Sequence, residues 1–220
     1  MLTIWGGGTT RAMRAHWMAH ELGLEYEAKL IGSRTGETQT PKFRLLNPKE
    51  KIPVLVDGDL VLTESAAIVT YLGDTYGTDG GLVPKPYTPE RALYNQWNSF
   101  IQMELDAHTL YVLRKHQDLT DVYGEAPAAV TTAIAGFHKQ VAVAEQSLRD
   151  GDYLVGDRFT GADIMLATTL KWAVAYQIEL SPRLLAYTTV QTARPAYRQA
   201  GRLNFSIGAG LRRPGGISPA

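Results

Sequence analysis

After Pro89 this chain offers no stretch that reads as a β-strand, whereas four lie before residue 64. The two regimes meet in Gly77–Pro89, GTDGGLVPKPYTP, which is dense in Gly and Pro and reads as a linker. The sequence therefore divides into a small α/β layer and an all-α half, and a sheet running through the whole chain is excluded.

The first half has a definite order. Leu2–Trp5 is a short apolar run with a β-branched centre, closed by glycine, so it reads as a buried strand. Thr9 or Thr10 suits a helix N-cap, since a hydroxyl can accept from free N–H groups of the first turn. Ala12, Ala15, Trp17, Met18 and Leu22 give that helix an apolar face, and Gly23 ends it. Tyr26–Ile31 reads as a second strand, followed by the polar loop GSRTGETQTP and a short helix at Lys42–Leu46. The runs PVLV and LVL flank Asp57-Gly58, a hairpin. Thr63 or Ser65 then caps a helix through AAIVTYL. The order is β-α-β, loop, β-β-α.

The second half has helical periodicity throughout. One long run covers ERALYNQWNSFIQMELDAHTLYVLRKH and a second covers Pro127–Leu148. A third begins at Thr160, and shorter ones follow Pro182 and extend through VQTARPAYRQA. The end, IGAGLRRPGGISPA, reads as a loosely packed tail. The expected domains are 1–81, 89–205 and a tail over 206–220.

Charge and cysteine content narrow the function. Lys+Arg and Asp+Glu are both 22, which removes the electrostatic reason to expect nucleic acid or an anionic membrane as partner. Cys is 0, so the chain supplies no disulfide, thiolate ligand or cysteine nucleophile. No segment approaches the roughly 18 continuous apolar residues of a membrane span, and the apolar start breaks at Gly6 without a basic leader. A cytoplasmic protein is the expectation.

Three stretches carry chemistry. In GGGTT the glycines permit a tight turn with close backbone approach, and the hydroxyls stand at a helix start. It lacks the G-x-x-x-x-G-K-[ST] spacing of a phosphate loop. Ile52-Pro53 opens a strand; a cis bond there would turn the Ile52 N–H and C=O outward to pair with an extended peptide, while a trans bond would make it a plain strand entry. Glu64-Ser65 opens a helix, where a carboxylate ligand is favoured and Glu64 could take an ammonium; plain capping is the alternative. His16 and His20 have metal-ligand spacing but no third ligand nearby, so a packed or solvated face is expected and no metal.

Together the strand–turn–helix with hydroxyls, N-P-x-x-K-I-P-V-L-V-D-G, T-E-S-x-A-I-x-x-Y-L and the all-α half resemble the cytosolic glutathione transferases, of the bacterial kind, over nearly the whole chain. The resemblance implies a thioredoxin-like first domain, an all-helical second domain, glutathione as co-substrate and a homodimer. It implies that Ile52 at the cis-Pro53 loop pairs with the cysteinyl backbone of glutathione. Glu64 and Ser65 take the γ-glutamyl end and Lys51 the glycyl carboxylate, with Gln39 and Arg34 further candidates for that end. FTGADIMLA carries the family's S/T-x-x-D box at Thr160 and Asp163, a folding element, and Arg194–Tyr197 carries its R-P-A-Y-like ending. Tyr111, Arg114, Trp172 and Tyr176, with Met103 and His108, are the implied second-substrate pocket.

One departure bears on mechanism. Gly7 stands where many bacterial members carry Ser, and no Tyr or Cys replaces it. Thr9 matches best the threonine of nu-class-like transferases, which act largely as disulfide reductases; Thr10 and Arg11 are the other candidates for activating the thiol. The substrate is then a small electrophile or a glutathione-linked disulfide, with a non-catalytic glutathione-binding protein as the third reading.

Overall fold

The computed structural model describes residues 1–78, 81–148 and 152–207. The expected tail falls outside these from residue 208 on. Two compact units emerge. One holds Met1–Val83 together with the stretch from Gln191, the other Pro84–Val190.

The first unit contains β1 (Thr3–Trp5), α1 (Thr10–Glu21), β2 (Glu27–Lys29), a 3-10 turn (Glu37–Gln39), α2 (Pro41–Leu46), β3 (Val54–Asp57), β4 (Leu60–Thr63) and α3 (Ser65–Tyr76). The sheet order is β2-β1-β3-β4, with β1 parallel to β2 and antiparallel to β3. This is the expected thioredoxin-like arrangement. The register pairs Trp5 with Lys29 and Val54, and Val54 with Thr63. The ends of β1, β2 and β4 and the start of β3 thus lie along one rim. Gly6, Pro53 and Glu64 each come next to a rim residue, so their neighbourhood follows from pairing alone.

Ile4, Val54 and Leu55 of the sheet and Ile68, Val69 and Leu72 of α3 are fully buried, as are Ala12, Ala15, Trp17 and Met18 of α1. Gly23 follows the helix at φ 63°, and Leu24 N–H closes back to the Ala19 carbonyl at 3.0 Å. β2 is shorter than the Tyr26–Ile31 run suggests, because only three residues pair with β1.

The second unit begins with α4 (Pro89–Phe100). Its helix continues through a more widely wound stretch (Ile101–Leu110), α5 (Tyr111–Leu113) and a second wide stretch (Arg114–Asp118). α6 (Thr120–Tyr123), α7 (Pro127–Ser147), α8 (Gly161–Ala175) and α9 (Pro182–Thr192) follow. α8 is buried nearly all round, which makes it the centre of this unit. Its start is the expected capping box, and Asp163 does more than cap. Its carboxylate accepts from Thr160 N–H (2.8 Å), the Thr160 hydroxyl (3.0 Å), Leu154 N–H (3.0 Å) and the Tyr187 hydroxyl (2.8 Å). Burial pushes this carboxyl up while the four donors pull it down.

α10 (Pro195–Asn204) belongs by contact to the first unit. Arg194, at its N-cap, forms a two-pronged bond with Glu21 of α1 (2.6 and 2.8 Å), and Tyr197 packs edge-on to Trp17 with centroids 4.8 Å apart. The R-P-A-Y ending is therefore a clasp on α1. Among the described residues, no helix is long and apolar enough to cross a membrane.

Candidate functional site

The glycine-rich turn is held from several directions. Gly6 N–H donates to Lys29 C=O and Gly7 N–H to Ile31 C=O, both at 2.9 Å. Gly6 has φ 118°, and a Cβ there would meet Ile52 Cβ at 2.7 Å. Only glycine lets the turn and the Ile52-Pro53 loop approach so closely. The Ile52–Pro53 bond is cis. Ile52 packs with Phe43 and Val54, against Trp5 and Ile31.

His16, wholly buried on α1, bonds Gly6 C=O through Nε2 and the Tyr26 hydroxyl through Nδ1, both at 2.9 Å. The carbonyl can only accept, so Nε2 carries the proton and Nδ1 accepts from Tyr26. Burial pushes its pKa down, against the Gly6 bond that raises it; His20 adds a smaller downward effect. His16 is packed, and His20 is half-buried with its ring edge-on to Tyr26, centroids 6.0 Å apart. Among the described residues no group of three His, Cys, Asp or Glu could hold a metal ion.

Thr9 is the N-cap of α1: its hydroxyl accepts the Ala12 N–H at 3.1 Å. As a hydroxyl it still has a proton to give. Thr10 is the first helical residue, and Arg11 follows, half-buried and engaged.

The start of α3 corrects one expectation. Neither Thr63 nor Ser65 caps it. The N-cap is Glu64, which makes no side-chain cap bond and sits at φ 70°, ψ 116°, a region that costs a non-glycine residue about 1–3 kcal/mol. Its carboxylate is exposed and meets Lys49 Nζ at 2.5 Å; Lys49 also donates to the Thr63 hydroxyl at 2.9 Å. Ser65 is buried, and its hydroxyl accepts from Arg14 Nη1 at 3.1 Å. Arg14 is wholly buried on α1 and was not among the sequence candidates. One clue was there: a charged residue four before Met18, on the apolar face. Gln39, Arg34 and Lys51 are exposed, and Arg34 stands at φ 65°. The Lys51 carbonyl accepts from Asn47 Nδ2 at 2.7 Å, fixing the approach to Ile52.

In the second unit, Trp172 and Tyr176 lie with ring centroids 6.2 Å apart, and the Tyr176 hydroxyl donates to Asp118. Burial first, then Asp118, pushes the Tyr176 phenol well up; Arg114 acts against this. Tyr111 carries Lys115 Nζ at 5.1 Å from its ring centroid. His108 lines a separate groove of about 510 Å³ against α7, with Glu104, Val112 and Gly136, and none of the other five candidates lines it. Met103 is exposed.

Residues 1–74 match the glutathione S-transferase N-terminal domain and residues 127–198 the glutathione S-transferase C-terminal domain. The chain is 31% identical to glutathione S-transferase 2 of Anopheles gambiae over 80% of its own length and 81% of that protein. Among solved structures it resembles a glutathione transferase from Methylococcus capsulatus, with TM-score 0.80 and 29% identity, covering 94% of this chain and 100% of that one. It also resembles the theta class glutathione S-transferase of Xanthomonas axonopodis with glutathione bound, with TM-score 0.76 and 28% identity, covering 94% and 98%.

Proposed function

The chain belongs to the glutathione S-transferase family, and from that premise we propose that its first unit binds glutathione and activates the thiol for attack on a small electrophile or a mixed disulfide. The observation that carries this reading is the shared rim of the sheet. It sets the Gly6–Thr9 turn, the Ile52-Pro53 loop and the start of α3 side by side. Gly6 lies close against Ile52, and Arg14 of α1 bonds Ser65, so the turn meets one of the other two stretches and the helix after it the other.

Each residue has a task in this reading. Ile52 offers its backbone to the cysteinyl peptide. Ser65 and the uncapped first-turn N–H groups of α3 receive the γ-glutamyl carboxylate, with the Arg14 guanidinium buried behind the serine. Glu64 receives the ammonium, exchanging Lys49 for it. Lys51, Gln39 and Arg34 serve the glycyl end. Thr9 donates to sulfur. A free thiol has pKa ~8.5, and the thiolate is the attacking form; a donated hydrogen bond and the positive end of α1 both favour it. Thr10 and Arg11 are the alternatives to Thr9. The second substrate is assigned to Tyr111, Arg114, Trp172 and Tyr176, with Met103 and His108, and the working form to a homodimer in the cytoplasm.

Transfer to a small electrophile is the first reading, and the threonine in the first turn supports glutathione-dependent disulfide reduction as the alternative. The test is one protein preparation assayed with a glutathione-linked disulfide and with an aryl halide. Reduction well above conjugation supports the reductase form; the reverse supports the conjugating form. Glutathione binding with neither activity over a broad panel leaves a binding protein, and no glutathione binding by calorimetry overturns the site.

A further inference from the structure

Position 7 has no side chain, and the end of the chain supplies the reason. A Cβ on Gly7 would stand 2.9 Å from Ile207 Cδ1 and 3.2 Å from both the Asn204 carbonyl oxygen and Leu30 Cδ2. The space that a side chain at this position needs is taken by Asn204 at the end of α10, by Ile207 just beyond it and by Leu30 just after β2.

Asn204 makes that contact polar. Its backbone carbonyl accepts the Gly8 N–H at 2.6 Å, and its side-chain Nδ2 donates to the Thr9 carbonyl at 3.2 Å, the one of the two bonds that asparagine itself supplies. The amide can lie only this way round, because the opposite orientation would set two acceptor oxygens face to face. The residue is wholly buried, and its Oδ1 has no partner among the described residues. An apolar side chain of similar size would fill the site without that penalty. Packing alone therefore does not account for asparagine.

We infer that Asn204 is a positioning residue for thiol activation. It bonds the backbone on both sides of the Gly8–Thr9 peptide, while Ala12 N–H holds the Thr9 hydroxyl from the helix side. With the Thr9 backbone and hydroxyl oxygen both held, the hydroxyl proton is left the positions that the Ala12 bond does not take. The inference rests on the reading of Thr9 as the donor to sulfur.

The test uses the full chain with Asn204→Ala and Asn204→Leu, the second keeping the volume should the first fail to fold. Three quantities are measured: thiolate absorbance of bound glutathione against pH, affinity for S-methylglutathione, which has no thiol proton, and the urea midpoint. Both variants should raise the apparent thiol pKa by about 0.5–1 unit, the worth of one weakened hydrogen bond. Affinity for S-methylglutathione should hold within about twofold. In a Thr9→Val background, Asn204→Leu should add no further shift. A lowered urea midpoint with the thiol pKa unmoved shows a structural role only and overturns the inference. So does a shift that persists in full without the Thr9 hydroxyl. If Thr9→Val alone leaves the pKa where it was, the Thr9 reading itself falls; if Thr9→Val moves it and neither Asn204 variant does, only Asn204's role falls.

Discussion

At the residue scale, Glu64 joins two costs at one position. It holds a left-handed backbone, and its exposed carboxylate is paired with an exposed lysine. An exposed ion pair is worth little, so the conformation is not retained for Lys49. Glu64→Ala should weaken glutathione binding about tenfold, the loss of one charged hydrogen bond. Glu64→Gly should weaken it equally but fold about 0.5–1 kcal/mol more stably than the alanine variant, because glycine takes this φ without a Cβ penalty. Calorimetry and urea unfolding separate the two effects; equal stabilities would show that the backbone there is unstrained. His16 gives a pH test. Its folded pKa lies below the ordinary ~6.5. The unfolded chain therefore takes the proton first, and stability falls as pH drops below ~6.5 toward the folded value, being complete above it. His16→Gln should flatten the stability slope in that window, leaving the part due to His20, whose pKa burial also lowers. Parallel slopes in wild type and variant would remove His16 as the cause. Thr9 as the cap of α1 was legible from residue type and position. Arg14, Lys49 and Asn204 were not, because their partners lie 51, 15 and 195 residues away along the chain. No local pattern encodes such pairs.

At the element scale, caps explain both what the sequence showed and where it misled. A hydroxyl before a helical run reads as a cap, and at Thr9 it is one; Thr40 and Thr88, not read as caps in the sequence, cap α2 and α4 in the same way. The same pattern failed at α3. There the buried Arg14 takes the Ser65 hydroxyl, and the helix starts one residue earlier than a serine cap would allow. Competition for a hydroxyl from another helix is invisible in the local sequence. At α8 the box was legible, but not its reach to Leu154 and Tyr187. This difference sets a ranking. Thr160→Val removes one hydroxyl and should cost ~1 kcal/mol. Asp163→Ala leaves two N–H groups and two hydroxyls without their acceptor and should cost ~3–5 kcal/mol, as when a buried network is broken. Urea midpoints decide it: equal losses would mean that Asp163 acts as a cap and nothing more.

At the scale of the whole molecule, contact and sequence order part company. The stretch from Gln191 comes last among the helices, yet its clasp of Arg194 on Glu21 and its Asn204 bonds at the Gly8–Thr9 turn group it with the first unit. Helical periodicity specifies that α10 is a helix with an apolar face; it does not say which surface that face meets. A ligand makes the difference measurable. Glutathione at 100 times its dissociation constant adds ~2.7 kcal/mol to whatever unfolds with its site. For a unit of about 100 residues that is roughly 11–20 °C in midpoint. In hydrogen exchange, protection should therefore rise in β1, α1, β3 and the first turns of α3, and with them in α10, whose bonds to α1 must open in the same event. α7 and α8, grouped in the other unit, should gain little. Exchange unchanged in α10 while α1 slows would show that the clasp opens separately from the site, and Asn204 could then not hold Thr9. A uniform gain through α7 and α8 would show that both units unfold as one, and the contact boundaries at Val83 and Gln191 would have no thermodynamic meaning.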